Sequence, residues 1–545
     1  MAILAFSLAD LLASPAVSVL TGVVAVIALL VFLYPDRAIF TRARSDVPME
    51  EGAVPIVGHF FMALKGKNRA RRLDNHIDLI KKYGPLRRVT IWPIVDKPLD
   101  LIFTNNPLDV EAVLKDPYTF IKDSKSDNTF DEVLGDGIFM SDGDQWKSAR
   151  KLAANLFTIR GFRDFFSRDF IDTCDHLSEI LTTASNQGLV VDIQDLLLRC
   201  TMDSFTRLAY GKDAGALSMK WAAKNGRMVM EPNAFANAFD TAMKISFQRG
   251  AKPLWWIFER LDGTGKQLKE AMEIIDNFAA DVLVEKRKLI AQGLGKSEDD
   301  ERYDLLDHLL KSTTDDDEPL SDKALRDHVL NFLLAGRDTT AQTLTWAFME
   351  VSKRPEVARK LREEAMQAMG KDGKCTYDML RQLPYTLAVF NEVLRLHANV
   401  PMTGKTVTQD TILPGSRIPV YKKNIVIWSS FAMGYSPDLW GEDYAEFRPE
   451  RWLVEQGKSV MKQNTKRHFV FNGGPRICLG MNFAQQEGTV FLSTLIRRFD
   501  FELVNEDDPS KWGVYHPDPS KRQGRYDETV TLGLRGAVDF KLRAI

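Results

Sequence analysis

The sequence predicts a mainly α-helical domain with small β-sheets at one edge, an α+β fold, preceded by one N-terminal membrane helix. Three observations carry this expectation. Long helical patterns dominate from residue 60 onward, short β-branched runs gather near the beginning and end of that region, and an uncharged apolar stretch stands at the N-terminus. The composition is that of a globular chain: of 545 residues, 45% are hydrophobic and 27% charged. It excludes disordered, collagenous and polytopic transporter classes. With 72 Lys+Arg against 74 Asp+Glu the formal charge is −2, which removes any global electrostatic case for nucleic acid as a partner. Cys174, Cys200, Cys375 and Cys478 lie far apart with no C-x-x-C pair, the pattern of reduced thiols rather than a disulfide framework.

No charged residue occurs between Asp10 and Asp36, and Ala16–Tyr34 is the densest apolar run. About 19 residues at ~1.5 Å rise suffice to cross a hydrocarbon core of ~30 Å, so residues 1–35 are expected to form a membrane anchor with its helix over 16–34. The run is too long for a signal-peptide core and lacks a basic segment before it. Arg37, Arg42 and Arg44 follow at once, which by the positive-inside rule places the rest of the chain in the cytosol. Pro48, Pro55 and Gly58 break the chain over 36–59, read as a stiff linker. Residues 60–545 then form one domain without internal repeats. Helices are predicted over 105–116, 141–156, 163–185, 191–210, 264–292, 321–353, 356–368, 376–397 and 481–498. Strands are predicted near 86–91, 99–103, 406–412, 424–428 and 528–542. The acidic run 315–318 reads as a solvated loop.

The segment 321–353 is the most informative. Ser321 suits an N-cap, Asp322 the first turn and Pro355 a stop, and the middle, VLNFLLAG, is apolar all round and therefore buried. Inside it stands Ala335-Gly336-Arg337-Asp338-Thr339-Thr340. Glycine costs ~1 kcal/mol in a helix interior, and threonine hydroxyls bond back to the preceding turn. The motif reads either as a kink with an ion pair or as a gap where a ligand approaches and Asp338 and Thr339 manage protons.

A second motif is Phe471-Asn472-Gly473-Gly474-Pro475-Arg476-Ile477-Cys478-Leu479-Gly480, just ahead of a helix. The helix N-terminus favours a thiolate at Cys478. The glycines leave room for a bulky partner, and Arg476 offers a fork for a carboxylate. No second Cys or His stands at zinc-ligand spacing. A flat macrocycle with one axial thiolate and acidic edges fits better.

At this point the chain resembles the cytochrome P450 family. The run F-N-G-G-P-R-I-C-L-G is similar to the family's haem signature at Phe471, Gly474, Arg476, Cys478 and Gly480. A-G-R-D-T-T resembles its oxygen-activation motif, and Glu392-Val393-Leu394-Arg395 its E-x-x-R pair. Phe447-Arg448-Pro449-Glu450-Arg451-Trp452 resembles its P-E-R segment, and Trp146 with Arg150 its W-x-x-x-R pattern. The resemblance implies the P450 fold, with the long helix crossing haem b and Cys478 as the axial thiolate of the iron. It implies Trp146, Arg150 and Arg476 at the propionates, Phe471 packed beside the thiolate, and backbone N–H groups at 479–480 on the sulfur. At 405, where relatives often carry a propionate-binding Arg, this chain has Lys405, a single charged donor without a fork. Thr339 is implied to hydrogen-bond dioxygen and Asp338 to relay protons. Glu392, Arg395 and Arg451 are implied to form a buried structural network.

No flavin-binding or ferredoxin-type motif occurs, so electrons are expected from a separate membrane-bound NADPH–cytochrome reductase carrying FAD and FMN. Lys147, Lys151, Lys462, Lys466 and Arg467 are candidates for its docking patch, or simply solvated charge. The stretches Leu134–Phe139, Asp142–Trp146 and Trp440–Asp443 resemble the fatty-acid and alkane hydroxylases of plants and fungi. The implied activity is insertion of one oxygen atom of O2 into a C–H bond of a small lipophilic substrate, at or near the ω carbon of a long-chain fatty acid. Expected pocket residues are Phe139, Met140, Phe239, Phe247, Phe332, Ala335, Val400 and Met402, drawn from a wider apolar set that includes Phe130, Phe235, Trp255 and Trp256. A sterol, terpenoid or xenobiotic substrate is the alternative, and a haem-binding sensor without turnover a remote one. The implied location is the endoplasmic reticulum membrane, single-pass, with the catalytic domain facing the cytosol and membrane lipids as partners.

Overall fold

The structure, a computed structural model, describes residues 15–65, 72–93, 97–124, 129–154, 167–218, 220–250, 255–293, 304–313, 318–371, 373–461, 466–504, 526–528 and 530–545. The helices that build the body are α1 (Pro15–Leu33), α2 (Arg72–Tyr83), α3 (Pro107–Lys115), α4 (Gly143–Ala154), α5 (Ser167–Asn186) and α6 (Ile193–Tyr210). They continue with α7 (Ala234–Arg249), α8 (Thr264–Ala291), α9 (Asp322–Ser352), α10 (Pro355–Met369), α11 (Pro384–Leu396) and α12 (Met481–Arg498). The sheet strands are β1 (Leu86–Ile91), β2 (Leu99–Thr104), β3 (Phe120–Ile121), β4 (Val190–Asp192), β5 (Trp221–Lys224), β6 (Arg227–Met230), β7 (Thr403–Val407), β8 (Asn424–Trp428), β9 (Phe499–Leu503) and β10 (Asp539–Ala544). One sheet runs β1–β2–β8–β7–β3, with β2 and β8 parallel; the other runs β9–β10–β4–β6–β5. The expected mixed helical and sheet fold is therefore present.

α9 starts where its cap predicts: the Ser321 side chain accepts from the Ala324 N–H. Its middle is buried against α6, and Tyr210 of α6 donates to the Val329 carbonyl at 2.9 Å. A side chain at Gly336 would fall 2.0 Å from the Phe205 ring, so this glycine lets α6 approach α9. The space that a side chain at Gly336 would need is taken by Phe205.

Several expectations need correction. The helix predicted over 376–397 is two pieces, a 3-10 turn Tyr377–Gln382 and α11, because Pro384 takes the first helical position and forces Leu383 out of helical geometry. The strand predicted over 406–412 is likewise broken, into β7 and a short strand Thr411–Ile412. The hairpin β5–β6 went unread although its turn, Asn225-Gly226, carries the positive-φ pair that such hairpins need, at 52° and 74°. Residues 36–59, read as a linker, are stitched to β1. The Ala38 N–H donates to Thr90 Oγ1 at 3.0 Å, and a side chain at Gly58 would collide with the Thr90 carbonyl. Residues 315–317 and 462 lie outside the described residues.

A helix does form at the N-terminus, but among the described residues no helix is long and apolar enough to cross a membrane, so the expected span is not found as such. The side chains of α1 are described from residue 18 onward, and Val19, Leu20, Val24, Leu29 and Phe32 among them are exposed.

Candidate active site

Side chains bond the carbonyls of the oxygen-activation segment, which lies within the continuous helix α9. Thr339 Oγ1 donates to the Ala335 carbonyl at 2.7 Å, Thr201 of α6 donates to the Arg337 carbonyl at 2.9 Å, and Thr343 Oγ1 donates to the Thr339 carbonyl at 2.8 Å. Such bonds draw carbonyls off the helix axis and loosen the ladder locally. Asp338 lies beside Arg337 at 3.0 Å, and Arg337 also bonds Asp240 of α7. Burial raises the Asp338 carboxyl to about 6 against the pull of Arg337, with Asp240 pushing the same way as burial. A carboxyl in that range holds or yields a proton near neutral pH, which a relay requires.

The loop before α12 presents Cys478. The Cys478 N–H donates to the Phe471 carbonyl at 2.8 Å, and Asn472 turns the chain at φ 64°. Arg150 of α4 donates to the Ile477 carbonyl at 2.6 Å. Cys478 is an exposed residue, unlike the buried Cys174, Cys200 and Cys375. Desolvation raises the thiol, while the Gly480 N–H and the Arg150 charge lower it. A side chain at Gly480 would meet only the Cys478 sulfur, at 3.9 Å, so this glycine keeps the space beside the thiolate clear. Gly474 serves a different purpose from the one expected. At φ +57° it makes room for the Leu114 carbonyl at the end of α3, and Gly473 likewise faces Leu114.

The haem-edge candidates converge. Arg476 bonds Asp142 at 2.6 Å and the Ser141 carbonyl at 3.2 Å, and its guanidinium lies 4.2 Å from the Trp146 ring centre. Lys405 is only 2% exposed, and its Nζ has no protein partner. Burial pushes it down to about 6, reinforced by Lys122 and Arg476. Lys122, missed in the sequence, donates to the Phe139 carbonyl at 3.2 Å, and burial brings it to about 8. It enters the cluster because β3 pairs with β7, with Ile121 opposite Thr406, a register that no local motif announces. Lys122, Lys405 and Arg476 thus face a single carboxylate, Asp142. An unpartnered buried amine that takes up a proton when an anion meets it, set beside two further cations, fits an anionic ligand edge, so the residues present fit haem and its propionates. Arg150 is engaged on the thiolate loop.

Glu392, Arg395 and Arg451 form the expected network. Arg395 makes a bidentate pair with Glu392 at 2.7 and 2.8 Å, and bonds the carbonyls of Gly434, Tyr444 and Glu446. Glu392 also accepts from Arg451 at 2.9 Å, from Trp452 Nε1 at 3.0 Å and from the Arg448 N–H at 2.8 Å.

Two loops flank Ala335–Thr339. Leu134–Phe139 is docked on α9: the Asp136 N–H donates to Asp327, the Phe139 N–H to Asn331 Oδ1, and Asn331 returns a bond to the Leu134 carbonyl. Phe139 therefore meets α9 one turn before Ala335. Asn399 bonds the Thr339 carbonyl, and Val400 and Met402 follow it in the same loop. Of the expected pocket residues, Phe139, Ala335, Val400, Met402 and Phe247 keep open surface. Met140 and Phe332 are nearly covered. Phe239 is sealed at 0% exposure in the core beneath Arg337 and lines no open surface. On the surface, Lys147, Lys151 and Lys466 are exposed, whereas Arg467 is half-buried, over the Trp440 ring at 4.6 Å and bonded to the Leu439 carbonyl.

Comparison with known proteins agrees with this geometry. A family model described as Cytochrome P450 matches residues 48–514. Cytochrome P450 monooxygenase cyp1 of Mycosarcoma maydis is 32% identical over 485 residues, covering 87% of this chain and 73% of that protein. Cytochrome P450 CYP94D109 of Paris polyphylla is 33% identical over 462 residues, covering 82% and 89%. Cytochrome P450 86B1 of Arabidopsis thaliana is 33% identical over 425 residues, covering 75% and 73%. With an exposed cysteine, a cationic cradle and an acid–alcohol pair on the central helix, the chain belongs to the cytochrome P450 family of haem-dependent monooxygenases.

Proposed function

We propose that this monooxygenase hydroxylates long-chain fatty acids at or near the ω carbon. When bound, the haem supplies dioxygen activation with electrons that a reductase draws from NADPH. The chain's own residues supply the rest. Cys478 would provide the thiolate ligand of the iron, Asp338 and Thr339 would hold protons for the reaction, and Lys405, Lys122 and Arg476 would hold the anionic edge.

The observation that carries the substrate reading is that apolar residues with open surface, Phe139 docked one turn before Ala335 and Val400 and Met402 next to the Asn399 that bonds Thr339, belong to loops tied to the same stretch of α9. An apolar chain lying between them is presented end-on, and proximity then selects one carbon. The likeness of Leu134–Phe139 and Trp440–Asp443 to fatty-acid and alkane hydroxylases supports the same reading, as do the plant and fungal relatives. The deciding experiment incubates the protein with a microsomal reductase, NADPH and a panel of saturated and unsaturated fatty acids, and locates new hydroxyl groups by mass spectrometry. Terminal or near-terminal hydroxy acids are the expected products. NADPH consumption with every fatty acid unchanged would remove the substrate assignment and redirect the panel to sterols and terpenoids.

In this reading the enzyme is attached to the endoplasmic reticulum membrane with its catalytic body in the cytosol, next to its reductase. The apolar face of α1 supports this, as do the exposed Phe40 (74%), Phe61 and Met62 on the segment that follows, with Arg37 and Arg42 beside them. Replacing Thr339 by Ala removes the hydroxyl and its bond to Ala335. Product formed per NADPH is expected to fall about tenfold, the difference appearing as hydrogen peroxide, while substrate affinity changes little. Unchanged coupling would take Thr339 out of proton delivery.

A further inference from the structure

Thr339 is held from outside its own helix by one side chain. Asn399 lies in the loop between α11 and β7, 8% exposed. Its Nδ2 donates to the Thr339 carbonyl at 2.7 Å and to Thr343 Oγ1 at 2.6 Å. The amide orientation follows from the network. The Thr339 carbonyl only accepts, and the Thr343 hydroxyl has its proton on that same carbonyl, so both need a donor from Asn399. A flipped amide would set Oδ1 against the carbonyl oxygen. Asn399 is itself anchored, since its backbone carbonyl accepts from the Leu532 N–H at 2.9 Å. The Thr339 carbonyl therefore takes two side-chain donors, Asn399 and Thr343, while its hydroxyl is engaged on Ala335 one turn earlier. Removing the Asn399 donor leaves the Thr339 carbonyl with one side-chain partner fewer and unties this point of α9 from the loop before β7.

We propose that Asn399 is a positioning residue for oxygen activation, its carboxamide fixing the Thr339 backbone so that the Thr339 hydroxyl stays where protons are delivered. The inference rests on the role of Thr339, not on the identity of the substrate. It makes the loop that carries Val400 and Met402 part of the proton-delivery apparatus as well as a wall of the pocket.

The test uses the full-length, haem-loaded protein and two variants, Asn399→Asp, isosteric without the donor, and Asn399→Ser, shorter and uncharged. Amide hydrogen exchange is followed in peptides spanning 335–345. Exchange there is expected to rise about fivefold to tenfold in both variants and to stay unchanged elsewhere in α9. With reductase, NADPH and dodecanoic acid, peroxide released per product is expected to rise about fivefold, with an unaltered spectrum of the reduced carbon monoxide adduct. In a Thr339→Ala background the Asn399→Asp change is expected to add nothing further to uncoupling, since both act through one group. Unaltered exchange at 335–345 would overturn the proposal, as would effects of the two substitutions that multiply. Failure of the wild type to oxidise any fatty acid of the panel would sink the substrate reading alone, leaving the exchange result to decide on Asn399.

Discussion

Replacing Glu392 by Ala is expected to abolish accumulation of folded, haem-loaded protein. Glu392 and Arg395 are each 0% exposed, and the carboxylate is the shared acceptor for Arg395, Arg451, Trp452 Nε1 and the Arg448 N–H. Without it Arg395 keeps three carbonyl acceptors but no counter-charge in a fully buried site. Breaking such a pair costs about 3–5 kcal/mol, a large part of the ~5–15 kcal/mol that holds a typical domain together. Glu392→Gln keeps one acceptor oxygen and is expected to lose less. The measurement is urea unfolding together with the yield of the reduced carbon monoxide spectrum. A Glu392→Ala protein with wild-type midpoint and haem content would show that the carbonyls of Gly434, Tyr444 and Glu446 suffice.

Lys405→Met is expected to move haem affinity and haem-free stability in opposite directions. In the protein without haem the Lys405 ammonium is buried beside Lys122 and Arg476, its pKa held near 6 rather than the usual range above 10. The unfolded chain binds that proton more readily than the folded one between those two values. The folded haem-free protein therefore loses stability as pH falls from about 10 toward 6, and Met removes that dependence. Haem-free Lys405→Met is expected to be the more stable protein at pH 7, with a flatter stability profile over that window. With haem bound, the same ammonium gains a propionate partner, and its loss is expected to weaken haem retention about tenfold to a hundredfold, the size of one charge-assisted contact. Haem transfer to apomyoglobin reads the first effect, and urea unfolding of the haem-free protein between pH 6 and 10 reads the second. Equal haem retention in the variant would remove Lys405 from the cradle.

Much of this was legible in the chain because it is local. Ser321 and Pro355 bound α9, and the spacing from Phe471 to Gly480 places the cysteine ahead of α12. What misled was local reading of non-local causes. Gly336 and Gly474 look like room for a ligand, but their missing side chains admit Phe205 and the Leu114 carbonyl, residues 131 and 360 positions away. Pro384 was a boundary signal that the helical pattern around it concealed. Arg467 looked like surface charge, yet it packs on Trp440.

By itself the sequence determined the cap and stop of α9, the place of Cys478 ahead of α12, the acid–alcohol pair within α9 and the Glu392–Arg395 spacing, because each depends on residues within a few turns of one another. Only the tertiary structure decided which cations meet at the haem edge and what holds Thr339. Lys122 reaches Lys405 through pairing of β3 with β7, and Asn399 reaches Thr339 across 60 residues. Contacts of that kind arise from sheet register and loop closure, and the energy of burying a charge or satisfying a carbonyl is settled only where the chain has already been brought together.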